Sequence, residues 1–310
     1  MLNVLFSAQP ARWDEYHAPL RAALADAGLK IDLSRDHAPE TVDYIIFAPN
    51  GPVSDFRPFT KTKAVMGLWA GVESVVDNAT LTQPLCRLVD ESLTDGMIEW
   101  VTGHTLRHHL GMDAHIHGQD GQWRDDSFPP LAKNRPVTIL GIGALGAACG
   151  QALANLGFPV TGWSRTQKDI AGLRCLSGED GLRMALKDAQ IVILLVPQTP
   201  ETTHILNAET LALMAQGAFV INPGRGPLID DDALLAALDT GQIAHATLDV
   251  FDVEPLPADH PYWAHSHVTV TPHIASTTRP ETAAKVIAEN IARGEAGEPF
   301  LYQVDRSRGY

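Results

Sequence analysis

Apolar residues arrive along this chain in short continuous runs, and the segments between them repeat their apolar positions every three or four residues. That alternation of strand-like and helix-like stretches is the rhythm of an α/β protein built on parallel sheets. Residues 3–7, 29–33, 44–48 and 64–68 read as strands. Between the first two, residues 13–27 set Tyr16, Leu20, Ala23, Leu24 and Ala27 on one helical face and stop at Gly28. The loops at 49–52 and 69–73 follow strand ends, where open parallel sheets bind ligands.

Residues 94–117 predict one long helix with an apolar stripe of Met97, Ile98, Val101, Thr105 and Met112. A polar stretch at 118–136 leads into a strand at 137–140, a helix ending at Gly157 and a second strand at 158–163. Residues 170–186 read as helical or mixed. Strands follow at 191–196, 218–222, 244–250 and 268–270, with helices at 231–238 and 281–293, the last crossing back to the first domain. The run from Ile191 to Val196 is apolar throughout, as in a strand covered on both faces.

Between the strands at 137–140 and 158–163 lies Gly141-Ile142-Gly143-Ala144-Leu145-Gly146, a G-x-G-x-x-G turn opening a helix. Gly141 permits the sharp turn, Gly143 clears the Cβ from a pyrophosphate, and Gly146 lets helix and strand pack closely. The N–H groups of Ala144 and Leu145 begin the helix, whose positive end suits phosphate. A dinucleotide is the expected cofactor. Its identity is read at the end of the second strand, where a carboxylate takes the ribose 2′-OH of NAD and a basic residue takes the 2′-phosphate of NADP. Ser164, Arg165 and Thr166 stand there, with Lys168 close by and no acid before Asp169. NADPH is therefore expected over NADH.

Arg225, Glu254 and His273 each stand a few residues past the C-terminal end of a successive strand, and in a parallel sheet those ends share one edge. An arginine, a carboxylate and a histidine converging on a nicotinamide suit a 2-oxo acid. His273 would protonate the developing alkoxide, and Glu254 would hold its tautomer and stabilise the charged ring. Arg225 would fork the substrate carboxylate and polarise the carbonyl, a bidentate geometry that lysine does not reproduce.

Composition narrows this reading. A length of 310 residues suits two medium domains, and a formal charge of −14 argues against a nucleic-acid binder. Cys86, Cys149 and Cys175 have no paired spacing, which points to a reduced, cytoplasmic home, and no signal peptide or membrane span is read. His104 and His108 have the i, i+4 spacing of a metal pair, but no third ligand lies at a suitable distance along the chain. No metal is expected, and these histidines, with His109, His115 and His117, are assigned to a helix surface or an interface.

At this point the chain resembles the D-isomer-specific 2-hydroxyacid dehydrogenase family, and within it the short NADPH-preferring glyoxylate/hydroxypyruvate reductases. The resemblance rests on ordered motifs between residues 70 and 275: Ala70-Gly71-Val72-Glu73, the glycine turn, Trp163-Ser164-Arg165-Thr166, Val196-Pro197-Gln198-Thr199-Pro200-Glu201-Thr202, Asn222-Pro223-Gly224-Arg225-Gly226, Leu248-Asp249-Val250-Phe251, Glu254-Pro255-Leu256 and Thr271-Pro272-His273-Ile274-Ala275. It implies a Rossmann-type doubly wound parallel sheet, residues 93–278, inserted into a smaller flavodoxin-like α/β substrate domain, residues 1–92 and 279–310. It implies that Arg225, Glu254 and His273 are the catalytic set, that the N–H groups of Gly71 and Val72 hold the substrate carboxylate, and that Pro197 and Thr199 contact the cofactor. Asp249 is implied to lie near the nicotinamide carboxamide, and the protein to be a homodimer. Trp69 stands where the family pattern usually has a small residue, and Pro223-Gly224 where a polar or alanine pair is usual. The bulk of Trp69 favours small acids such as glyoxylate or hydroxypyruvate. Two other readings share the fold: a nucleotide-sensing regulatory module, and an NAD-linked dehydrogenase working oxidatively.

Overall fold

The computed structural model describes residues 1–123, 125 and 128–306, so parts of the stretch expected to be polar at 118–136 and the C-terminal end of segment 279–310 lie outside the described residues. The chain divides into two compact units, Met1–Leu93 with the segment from Thr277 onward, and Thr94–Ser276. In the first, β1 (Leu2–Ser7) leads to α1 (Pro10–Asp26), β2 (Ile31–Ser34), β3 (Tyr44–Phe47), β4 (Ala64–Gly67), α2 (Glu73–Val76) and the short β5 (Leu85–Cys86). All neighbours pair in parallel in the order β2-β1-β3-β4-β5.

The chain continues through α3 (Glu91–His109), α4 (Met112–His117), β6 (Val137–Leu140), α5 (Ala144–Asn155), β7 (Val160–Ser164), β8 (Arg174–Ser177), α6 (Gly178–Leu186), β9 (Ile191–Leu194), α7 (Ala208–Leu211), β10 (Ala218–Asn222), α8 (Asp231–Asp239), β11 (Ile243–Leu248) and β12 (Val268–Val270). These strands form an all-parallel sheet in the order β12-β11-β10-β9-β6-β7-β8. The order reverses beside β6: the chain moves to β7 on one side and returns to β9 on the other. Such a switch point opens the crevice in which parallel sheets bind ligands. The last helix, α9 (Pro280–Ala296), belongs to the first unit.

Both sheets are covered on both faces. In the second unit one core gathers Leu140, Val192, Leu194 and Leu248, and the other gathers Ile139, Cys149, Leu153, Ile193 and Ile221. In the first unit Tyr16, Leu20 and Leu24 of α1 share a core with Ala283, Ala284, Ile287 and Ile291 of α9. Burying each Leu or Ile contributes about 1.5–3 kcal/mol, so this shared face holds the two ends of the chain in one unit.

Three expectations change. The single helix at 94–117 is two, because Gly111 adopts φ 62° and interrupts the hydrogen-bond ladder between α3 and α4. Residues 170–186 hold a distinct edge strand, β8, whose four residues, one exposed and three half-buried, are too few to show alternation. His108 and His109 are not surface residues, being only 4% and 6% exposed. α3 turns its histidine face onto the sheet, where His108 stacks on Phe219 at 4.8 Å with Nε2 2.9 Å from Thr247 Oγ1. His109 meets Phe158 edge-on at 4.9 Å.

These histidines predict acid sensitivity. Burial, with His245 and Arg107 adding repulsion, pushes His108 down to about 3, and burial with Arg107 pushes His245 down to about 4. An unfolded histidine takes up its proton near pH 6.5, so as pH falls below that value the unfolded chain binds protons the folded chain refuses. Stability is full above the unfolded value and falls toward pH 4, by about 1.4 kcal/mol per pH unit for each such histidine. Urea midpoints measured from pH 7.5 to 5.0 should decline over this window; a flat profile would exclude the histidines as its cause.

Candidate active site

The exits of β7, β6, β9, β10, β11 and β12 lie along one edge of the larger sheet, and each carries residues singled out from the sequence. At the exit of β6, Gly141 has φ 104°, and a Cβ there would stand 2.4 Å from Val196 N in the exit of β9. A Cβ on Gly146 would stand 1.8 Å from Gly141 O, so α5 packs directly on the turn. By contrast, a Cβ on Gly143 would meet nothing within 4 Å, and Gly143 and Ala144 are exposed while Leu145 is half-buried. The turn therefore presents open space before the N-terminus of α5, the environment a pyrophosphate requires.

At the exit of β7, Ser164 Oγ donates to Thr166 O at 2.8 Å, and Arg165 is exposed. Across the edge, the loop after β9 carries Pro197 and Thr199. Thr202, part of the motif after β9 but given no role there, staples that loop: its Oγ1 donates to Pro197 O at 2.7 Å and accepts from Thr199 N at 2.8 Å. Glu201 is acidified by its hydrogen bond to Thr199 and, less strongly, by the charge of Arg165.

Arg225 follows β10 on a tight turn. Asn222 accepts from Gly224 N at 3.0 Å and donates to Arg225 O at 2.9 Å, while Arg225 Nη1 donates to Gly224 O at 2.6 Å. The unusual Gly224 has a local reason, because a Cβ there would approach Leu194 O to 2.8 Å.

β11 and β12 bring together two residues 19 apart in sequence. Their parallel register pairs Leu248 with Val270, so Glu254 and His273, a few residues farther on, meet with Nδ1 2.7 Å from Glu254 Oε2. Glu254 Oε1 accepts from Phe251 N at 3.0 Å, which occupies the other oxygen. A carboxylate only accepts, so Nδ1 carries the hydrogen and Nε2 is left for proton exchange. The His273 side chain is 53% exposed and Glu254 34%, so the pair is open to a ligand.

Asp249 does something the resemblance did not suggest. Fully buried, its Oδ1 accepts from Thr271 Oγ1 at 2.5 Å and from Ile274 N at 2.9 Å, and its Oδ2 from Ala275 N at 2.8 Å. His273 N also donates to Asp249 O at 2.8 Å. These bonds brace a turn in which His273 sits at φ 54°, a left-handed conformation costly for a side chain. Burial raises the Asp249 pKa, and its donors oppose the rise. Thr271 stands in the motif around His273 without a role, because a threonine after a strand carries no signal of its function until its partner is known.

Trp69, Gly71 and Val72 belong to the first unit. They follow β4, with Trp69 41% exposed, Gly71 half-buried and Val72 buried at the N-terminus of α2. Among the described residues no group of three or more His, Cys, Asp or Glu side chains is arranged to hold a metal.

Comparisons with known proteins match residues 102–275 to the family described as D-isomer specific 2-hydroxyacid dehydrogenase, NAD binding domain. The chain is 37% identical over 318 aligned residues to glyoxylate/hydroxypyruvate reductase A of Serratia proteamaculans, covering 100% of both. It is 41% identical to a D-isomer specific 2-hydroxyacid dehydrogenase from Xanthobacter autotrophicus Py2 solved with NADPH and MES, with a TM-score of 0.92 over 100% of this chain and 99% of that one. It is 31% identical to the NADPH-dependent glyoxylate/hydroxypyruvate reductase of Sinorhizobium meliloti solved with NADP and sulfate, with a TM-score of 0.86 over 100% of both.

Proposed function

We propose that this chain, which belongs to the D-isomer-specific 2-hydroxyacid dehydrogenase family, reduces small 2-oxo acids such as glyoxylate and hydroxypyruvate to D-2-hydroxy acids with NADPH. The 2.7 Å bond between His273 and Glu254, on the sheet edge that carries the glycine turn, is the observation that supports it most. In this reading residues 93–278 are the dinucleotide-binding domain, and residues 1–92 and 279–310 the substrate domain. Gly141, Gly143, Ala144, Leu145 and Gly146 hold the pyrophosphate, Ser164, Arg165 and Thr166 the 2′-phosphate, and Pro197 and Thr199 the nicotinamide side. NADH serves as the poorer cofactor.

When bound, the reduced nicotinamide supplies the hydride. Arg225 forks the substrate carboxylate and polarises the carbonyl, and by the family resemblance the N–H groups of Gly71 and Val72 are assigned to the substrate carboxylate. His273 Nε2 delivers the proton to the oxygen that becomes the hydroxyl, and Glu254 compensates the imidazolium charge before transfer. Trp69 restricts the side chain of the acid. Asp249 keeps its assignment beside the nicotinamide through its place at the exit of β11, while its carboxylate oxygens brace the histidine turn.

Initial rates with glyoxylate, hydroxypyruvate, pyruvate and phenylpyruvate, each with NADPH and NADH, test this. The expected result is fast NADPH oxidation with the first two. Tight nucleotide binding without turnover of any acid would replace the enzyme by a nucleotide-sensing module.

The same reading makes the protein a cytoplasmic homodimer. Its cysteines are unpaired, as a reducing compartment favours, and no helix of the described residues is long and apolar enough to cross a membrane. Leu110, Met112, Ile116, Trp123, Phe128 and Leu131 are exposed along one stretch of chain, with Trp123 at 92% and Phe128 at 82%. Exposed apolar surface of this kind is what a second copy covers. Light scattering should give twice the mass of one chain, and the mass of a single chain would overturn the dimer.

A further inference from the structure

We propose that Arg87 reads an oxygen on C3 of the 2-oxo acid, and so separates hydroxypyruvate from pyruvate, whose C3 is a methyl group. The inference rests on the proposed reductase and deepens it. β4 and β5 pair in parallel with Val65 opposite Leu85 and Met66 opposite Cys86, so the next pair along is Gly67 and Arg87. Just beyond, Leu88 N donates to Trp69 O at 2.9 Å, which ties the chain after β5 to the loop that carries Gly71 and Val72. Side chains alternate along a strand. Val65 and Leu85 share a core with Val72, Val75 and Val76, so Arg87, two residues after Leu85, stands on the face that α2 covers.

The guanidinium there is half-buried. Burial pushes its pKa down, while Tyr302 and Glu73, the first residue of α2, oppose the fall. Arginine nonetheless stays charged. Its backbone N–H donates to Tyr302 O at 3.1 Å, but among the described residues its side chain makes no hydrogen bond and no ion pair. Other arginines of the same unit show the contrast: Arg57 forks Asp55, and Arg306 bonds the carbonyls of Leu81 and Gln83. A half-drained cation with five idle donors is costly to keep unless a ligand engages it. What it meets follows from what is already assigned. The carboxylate of the acid goes to Arg225 and the N–H groups of Gly71 and Val72, and the carbonyl oxygen to Arg225 and His273. The oxygen left over is the one on C3, which hydroxypyruvate carries as a hydroxyl with two lone pairs for a donor. Trp69, 41% exposed on the neighbouring loop, bounds the room, so the group read is small.

Steady-state rates with hydroxypyruvate, pyruvate and glyoxylate, each with NADPH and each split into kcat and KM, test this on the intact protein. Wild-type protein should favour hydroxypyruvate over pyruvate, and equal use of the two would overturn the inference. Arg87→Met, which keeps an apolar stem and removes the cation, should raise KM for hydroxypyruvate by about 10- to 100-fold, as the loss of a hydrogen bond to a charged group implies. The values for pyruvate and glyoxylate should change far less. Arg87→Lys keeps a charge but not the fork, and should fall between wild type and Arg87→Met. A fluorescence titration of NADPH should give the wild-type affinity for both variants; if Arg87→Met fails to fold by that measure, Arg87→Lys decides. An equal loss for all three acids would make Arg87 a support of the loop or a ligand of the carboxylate, and overturn the inference. So would an unaltered ratio of hydroxypyruvate to pyruvate in Arg87→Met, or in Arg87→Lys where it alone folds. Wild-type protein that binds NADPH and turns over none of the acids would instead remove the reductase reading, and the role of Arg87 with it.

Discussion

His273→Gln is expected to lose about 100- to 10,000-fold in turnover, roughly 2.7–5.5 kcal/mol of barrier, while still binding NADPH. The substitution keeps a side chain of similar length able to bond Glu254, now 2.7 Å from Nδ1, so the turn retains its anchor. What disappears is the Nε2 that exchanges the proton. Glutamine has no acid near neutral pH to offer the developing alkoxide, and water is a poorly placed substitute. Steady-state rates with hydroxypyruvate, paired with a fluorescence titration of NADPH, check this. Turnover near that of the wild type would remove His273 from the proton transfer, and a matched loss of nucleotide binding would show that the substitution damaged the fold instead.

Asp249→Ala is expected to destabilise the protein by about 3–6 kcal/mol, because each buried donor left without an acceptor costs roughly 1–3 kcal/mol. The donors are Thr271 Oγ1, Ile274 N and Ala275 N, and the site is fully buried, so water does not readily replace the carboxylate. A loss of that size is a large share of the stability of an ordinary domain. Asp249→Asn is the informative companion. It preserves shape and one acceptor oxygen but turns an NH₂ toward an N–H or hydroxyl donor, so its destabilisation should be smaller. Turnover should still fall, because the turn that holds His273 at φ 54° loses part of its brace. Urea unfolding measures the first effect and the ratio of kcat to nucleotide affinity the second. An Asn variant with unchanged stability and unchanged kcat would show that the bonds to Asp249 do not hold the histidine.

Much of this was legible in the residue order. The alternation of apolar runs and helical stripes specifies an α/β chain because strand and helix periods are local properties of the backbone. The glycine spacing at 141–146 announces a phosphate turn because only a chain lacking those Cβ atoms makes so close an approach, as Gly146 against Gly141 O illustrates. Arg225, Glu254 and His273 could be grouped because parallel strands deliver their C-terminal ends to one edge whatever the details of packing.

Tertiary structure alone decided the rest. Which face of α3 meets the sheet is not contained in its own periodicity, so His108 and His109 read as helix surface or interface, and only the fold sets Phe219, Thr247 and Phe158 against them. The four residues of β8 acquire strand character only from pairing with β7. The grip of Asp249 on Thr271, Ile274 and Ala275, and that of Lys168 on Ile142, join residues more than 20 apart through the register of neighbouring strands. Local sequence determined which residues stand at each strand exit, because propensity and pattern act over a few residues. Only the folded sheet decided which exits touch, because that depends on strand order and register, set by the burial of both faces at once.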